Sequence, residues 1–236
     1  MRSGILLVLS ILLSFAAFAQ NGSDTVNRID EDGNKYGYWK KYSEDGILKY
    51  EGNFVNGLPE GSFTYYYPDG IVKARSVFSE QGNYSETKTY HHSGNLMTEG
   101  FYIGTEKDSL WKYYNMGGIL LKEEFYRDKK KHGTWKTFYE DGQVAEETSW
   151  ENDKQNGPWH QYFPDGTLKL QGYYSNDEKN GEFLFYFPSG RLEITGHYVN
   201  SKRVGEWIYM NEDSKVIKKE IYEDGKLIKK EEYKKE

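Results

Sequence analysis

Residues 37–60 read Gly-Tyr-Trp-Lys-Lys-Tyr-Ser-Glu-Asp-Gly-Ile-Leu-Lys-Tyr-Glu-Gly-Asn-Phe-Val-Asn-Gly-Leu-Pro-Glu, and their pattern returns every 24 residues along the chain. Asp45-Gly46, set between two runs of aromatic and β-branched residues, is a hairpin signal. Gly70, Gly94, Gly118, Gly142, Gly166 and Gly190 follow Gly46 at the same spacing, and Ser214 takes the eighth place. Seven positions ahead of each stands Trp39, Phe63, Thr87, Trp111, Trp135, Trp159, Phe183 or Trp207. Eight positions behind stands Phe54, Phe78, Tyr102, Tyr126, Trp150, Tyr174, Tyr198 or Tyr222. Two more apolar columns begin at Tyr42 and Leu48. Columns held through eight rows without an insertion define a repeat array, which buries its apolar residues by stacking neighbours and offers an extended surface.

Each row predicts two short strands, roughly 37–43 and 47–54 in the first. Pro68, Pro164 and Pro188, two residues ahead of their glycines, suit the first corner of a type I turn, with the glycine as the left-handed residue of a bulge. A polar six-residue connection such as Arg127–His132 leads to the next row. Pairing Tyr42 with Leu48 and alternating along the strands puts Tyr42, Leu48 and Phe54 on one face and Trp39 on the other. The expected fold is all-β: an elongated, solenoid-like antiparallel meander of about eight 24-residue hairpins, about 16 strands, with no helix. Row three, Ser85–Asp108, lacks the opening glycine and has Thr87 in the tryptophan column, so it reads as a bend or a loosened row.

The ends differ from the rows. Arg2, the apolar run Ile5–Phe15 and Ala17-Phe18-Ala19 make residues 1–19 a signal peptide cleaved before Gln20, which implies export to the periplasm or beyond. Residues 20–36 form a polar segment with a capping turn at Asp30-Glu31-Asp32-Gly33, residues 37–228 hold the rows, and residues 229–236 are a charged tail that guards the last strand edge. There is no cysteine, so disulfides and thiolate chemistry are excluded. A net charge of −6 speaks against nucleic acid and acidic lipid as partners, since both call for basic patches. Hydrophobic content is 36% while aromatics reach 17%, the balance of a thin structure held by large rings.

Residues 50–70 read Tyr-Glu-Gly-Asn-Phe-Val-Asn-Gly-Leu-Pro-Glu-Gly-Ser-Phe followed by Thr-Tyr-Tyr-Tyr-Pro-Asp-Gly, which resembles the MORN repeat. Gly100-Phe101-Tyr102, Gly172-Tyr173-Tyr174 and Gly196-His197-Tyr198 echo it. The 24-residue spacing and the Trp-x-x-Tyr-x-x-x-Gly-x-Leu core are closer to the bacterial variant of that repeat, many members of which carry the label of a YwqK-type antitoxin. The resemblance covers about 37–228 and implies hairpin arrays used for protein association and, in some eukaryotic members, phospholipid contact. Export and net negative charge set this chain apart from an intracellular antitoxin and from acidic headgroups.

No catalytic, cofactor or metal site is expected. Among His91, His92, His132, His160 and His197 only the adjacent pair is close in sequence, and adjacent strand residues face opposite ways. Glu51, Glu99, Glu123 and Glu147 share one column and read as rungs paired with lysines on neighbouring strands. No nucleophile or phosphate motif is present, and the rows leave no segment for a catalytic domain, so an enzyme is not expected. Tyr65, Tyr67, Tyr113, Tyr139, Phe163, Phe185, Phe187 and Tyr209 stand outside the main columns, on the Trp39 side by parity, and are the candidate ligand-contacting rings. Three functions follow: an exported scaffold binding another protein, a glycan- or cell-wall-binding module with a partial similarity to aromatic-rich choline-binding repeats, or an antitoxin-like partner neutralising an exported toxin.

Overall fold

The computed structural model describes residues 26–233; the signal peptide read at residues 1–19 and the last residues of the charged tail lie outside the described residues. Among the described residues twenty strands form one open sheet in which every strand pairing is antiparallel and joins segments close in the chain, and none of these residues is helical. Sixteen strands were expected. The surplus arises because Lys130–Lys131 separates from Gly133–Phe138 and Glu178–Lys179 from Gly181–Tyr186, while Arg28–Ile29 and Lys226–Glu232 add one strand at each end.

Two kinds of turn alternate. Within a row, Ser43 N–H donates to Ile47 O and Gly46 N–H to Ser43 O, with Gly46 at φ +79°. The recurrent Asp-Gly has a local cause: Asp141 and Asp165 accept the N–H two residues on through Oδ1 at 3.0 and 2.9 Å. Ser214 does the glycine's work at φ 61°, a conformation that costs a side-chain-bearing residue about 1 kcal/mol. Between most rows, the six-residue connection expected from the sequence is a two-residue turn with both residues left-handed, as at Asn152-Asp153 (φ 50° and 71°). This is the type I′ geometry that matches strand twist, and Asn and Asp tolerate it. The flanking residues continue the strands: Lys130 pairs with Arg127 and Lys131 with Tyr126. Successive turns are tied together as well, since Asp177 N–H donates to Gln155 O and Ser201 N–H to Lys179 O, both at 2.9 Å.

The face assignment from simple alternation is overturned. A register shift between Lys41 and Tyr42 pairs Tyr42 with Leu48 but Lys41 with Tyr50, leaving Lys49 as an extra residue. That bulge reverses the parity of the second strand. Trp39 and Phe54 therefore share a face, with ring centroids 6.1 Å apart, opposite to Tyr42 and Leu48. The same shift recurs at the within-row hairpins, for example between Tyr65 and Tyr66 and between Tyr113 and Tyr114.

All core rings thus lie on one face. Phe63, Trp111, Trp135, Phe183 and Trp207 are buried there. A single sheet has no second layer, and space for these rings comes from glycines on the neighbouring strand. A Cβ at Gly52 would sit 2.4 Å from Phe63, and one at Gly100 2.3 Å from Trp111. Rings of adjacent strands, within a row and between rows, then meet edge to face, the arrangement their quadrupoles favour: Phe54–Phe63 at 5.2 Å, Phe63–Phe78 at 5.0 Å, Phe183–Tyr198 at 4.7 Å and Tyr198–Trp207 at 5.0 Å.

The opposite face is polar and ordered. The glutamate column of the sequence forms rungs: Lys40–Glu51 at 3.4 Å, Lys88–Glu99 at 3.5 Å, Lys112–Glu123 at 3.9 Å and Lys136–Glu147 at 2.9 Å. Tyr66, Tyr114 and Tyr162 donate to Glu51, Glu99 and Glu147. Half-exposed pairs of this kind contribute about 0–1 kcal/mol each, so they set register and solubility more than stability.

Trp135 is 7% exposed. Trp135→Ala should lower the unfolding free energy by about 3–5 kcal/mol in denaturant titration; a near-neutral result would place that column outside the core. Ser214→Gly should raise the thermal midpoint, through a gain of about 0.5–1 kcal/mol, by relieving the left-handed serine.

Candidate functional site: a cleft where one ring is absent

The ring face is interrupted once, at row three. There Thr87 replaces the tryptophan, Ser76 stands in the glycine column and Ser85 replaces the opening glycine. All three are buried, and Ser76 Oγ and Thr87 Oγ1 share a hydrogen bond of 2.8 Å. Expected as a bend or a loosened row, row three is fully paired: Tyr84–Tyr90 keeps its ladder with both neighbouring strands. The difference lies in the turn. Other rows join through two residues followed by a bulge, as from Val55↔Leu58 to Gly52↔Phe63. The turn into row three has no bulge, and Ser79 pairs with Tyr84 across the longer turn Glu80-Gln81-Gly82-Asn83. Two residues have moved from bulge to turn, which keeps the 24-residue period and frees position 85 from the left-handed conformation that Gly37 and Gly61 adopt.

An indole missing from a row leaves space that a threonine cannot fill. An open cleft of about 720 Å³ results, with Ser76, Ser85 and Thr87 at its floor and Tyr50, Tyr65, Phe78 and Tyr102 among its walls. Burial raises the pKa of the Tyr65 and Tyr102 phenols. Phe78 packs edge-on against Phe63 at 5.0 Å and Tyr102 against Trp111 at 4.8 Å. By contrast Phe54 and Tyr198 have a ring on both sides. Lys49 and Lys73, the extra residues of two bulges, also line the cleft.

The eight candidate rings separate into groups. Tyr65 lines this cleft, and Tyr67 lines a neighbouring depression of about 380 Å³. Tyr67 and Tyr139 are first residues of turns, and their hydroxyls donate to Tyr90 O and Tyr162 O one row on. Phe163, Phe185 and Phe187 line a second cleft, about 440 Å³, with Leu170. Tyr113 and Tyr209 belong to two matching clusters four rows apart. Tyr209 and Tyr222 donate to buried Glu220 at 2.7 and 3.0 Å, and Lys218 approaches it at 3.0 Å. Tyr113 and Tyr126 do the same for buried Glu124, with Lys122 and Lys107 as the cations. The sequence reading missed Phe78 and Tyr102 as wall residues, because their column read as structural, and Tyr50, which belongs to none of the columns read. The signal for the cleft was the substitution at position 87.

The clusters are electrostatically settled. Burial pushes the Glu220 carboxyl up, but hydrogen bonds from Tyr209, Lys218 and Tyr222 outweigh it and bring the pKa down to about 2. Glu124 is shifted down by the same balance, and burial together with Glu124 pushes the Tyr113 phenol up. Among the described residues no three metal-ligating side chains come together.

An open sheet of stacked hairpins, repeating every 24 residues, is the architecture of a repeat protein. The chain belongs to the MORN repeat variant family, whose model matches residues 35–56, 59–80, 85–103, 131–152, 155–176, 179–200 and 216–235. No curated protein matches the sequence. Among solved structures the Photorhabdus luminescens Tc holotoxin pore is similar at 12% identity and a TM-score of 0.20, over 83% of this chain and 14% of that one.

A carboxyl held below its unfolded value stabilises the fold at high pH and loses that contribution as pH falls. For Glu220 the window runs from its ordinary value of 4.5 down to about 2. Urea titrations across that window should show stability falling for the parent and a flatter acid limb for Glu220→Gln; parallel curves would contradict the assignment.

Proposed function

We propose that this chain is an exported, non-catalytic scaffold that binds another protein along the aromatic face of its sheet. The observation that carries the reading is the cleft above Thr87: an aromatic-walled opening of ligand size at the row whose core ring is missing. Family membership supports it, since MORN repeats commonly serve as protein- or membrane-binding modules. The buried carboxylates Glu124 and Glu220 are surrounded by phenols and cations, as in structural anions and unlike an acid–base pair. Export rests on the pattern of residues 1–19. Neutralisation of an exported toxin would be one case of the same activity.

A second reading, a glycan- or cell-wall-binding module, has its own observation. Phe163, Phe185 and Phe187 gather with Leu170 in the second cleft, and a group of rings is a surface on which sugars stack.

Crosslinking capture from an envelope extract should yield a discrete partner whose recovery falls several-fold with Tyr65→Ala. Saturable binding to purified peptidoglycan or polysaccharide, lost on replacing Tyr65, Phe163 and Phe187 by alanine, would instead establish the glycan reading.

A further inference from the structure

The row-three cleft is shaped by the absence of one ring, and its surroundings specify what completes it. We propose that it receives a single aromatic side chain of the bound partner, seated above Thr87 between Phe78 and Tyr102, with an acidic residue beside it. This rests on the protein-binding reading above and names the partner chemistry at that site.

Three observations lead there. The first is the environment of the equivalent ring in other rows. Phe63 meets Phe54 at 5.2 Å and Phe78 at 5.0 Å, and Trp207 meets Tyr198 at 5.0 Å and Tyr222 at 6.4 Å. A ring above Thr87 would complete the same sequence of edge-to-face contacts between Phe78 and Tyr102, whose other neighbours, Phe63 and Trp111, are in place. The second is polarity. The hydroxyls of Ser76 and Thr87 are buried and bonded to each other, so the floor offers little to a sugar that must pair its own hydroxyls on leaving water. A phenyl ring makes no such demand and an indole makes a single one, which Trp111 and Trp135 meet with the backbone carbonyls of Phe101 and Phe125. The third is charge. In a chain of net charge −6, Lys49 and Lys73 border this cleft, and among the described residues neither joins an ion pair. A carboxylate flanking the incoming ring would find two cations there.

The test supplies the ring from either side. The probe is the blocked tripeptide Asp-Trp-Asp, with Asp-Ala-Asp and a cello-oligosaccharide as comparisons, titrated into the full chain while the Thr87 methyl resonance is followed. Saturable binding of the Trp peptide that shifts this methyl is expected, with neither comparison binding. Thr87→Trp, which gives row three its own indole, should weaken the peptide by at least about tenfold, as loss of a central anchor does. Lys49→Glu with Lys73→Glu, at two exposed positions, should weaken it too and serves if Thr87→Trp does not fold. Equal binding to Thr87→Trp, equal binding of the alanine peptide, or binding of the oligosaccharide at Thr87 in its place would overturn the proposal. The two readings fail separately. Protein capture undiminished by Thr87→Trp removes this inference and leaves the scaffold. Peptide binding at Thr87 without capture of any protein removes the scaffold and, with it, the partner named here, leaving only a cleft that accepts an aromatic ring beside a carboxylate.

Discussion

A one-layer sheet must bury its rings against itself, and the constraint on this chain is the room to do so. The glycines at 52, 100, 172 and 196 provide that room, because a Cβ at any of them would sit 2.2–2.4 Å from the ring laid over it. Removal of a side chain on one strand lets the indole or phenyl of the next lie flat on the backbone, where it reaches rings of the rows before and after. Stability is then a nearest-neighbour sum along the chain, each row completing the burial of the last. The low aliphatic content follows, since few side chains other than aromatic ones span the distance between rows.

At three of the four positions where the glycine is replaced, Ser76, Glu124 and Glu220, the structure compensates or opens. At Glu124 and Glu220 the carboxylate is accommodated by two phenols and the cations around it, and Arg203 lies over the Trp207 ring at 4.2 Å. At Ser76 the opposing ring has gone, two hydroxyls bond to each other, and a cleft remains. Both departures keep the hydrogen-bond ladder intact. The backbone carries the period while the face carries the differences between rows, and any specificity of the array lies in those differences.

The row length, the turns, the all-β class and the lysine–glutamate rungs were legible because each depends on spacing along one strand or between adjacent ones. The face of Phe54 was misread because alternation counts every residue, and the bulge at Lys49 inserts one that the ladder does not count. The connection between rows was read as a loop because turns such as Asn152-Asp153 carry no glycine, although Asn56-Gly57 and Asp224-Gly225 held the hairpin signal and all these residues take the left-handed conformation. Row three was noticed for its missing Trp and Gly. Its effect could not be read, since an absent ring matters through Phe78 and Tyr102, which belong to different strands.

The sequence by itself determined an array of eight 24-residue hairpins and the identity of its odd row, because period and turn chemistry are local properties. Only the tertiary structure decided which columns share a face, that the odd row stays paired, and that it leaves a walled cleft. Those outcomes depend on register across strands, and a single unpaired residue in a bulge turns every side chain beyond it to the other side of the sheet.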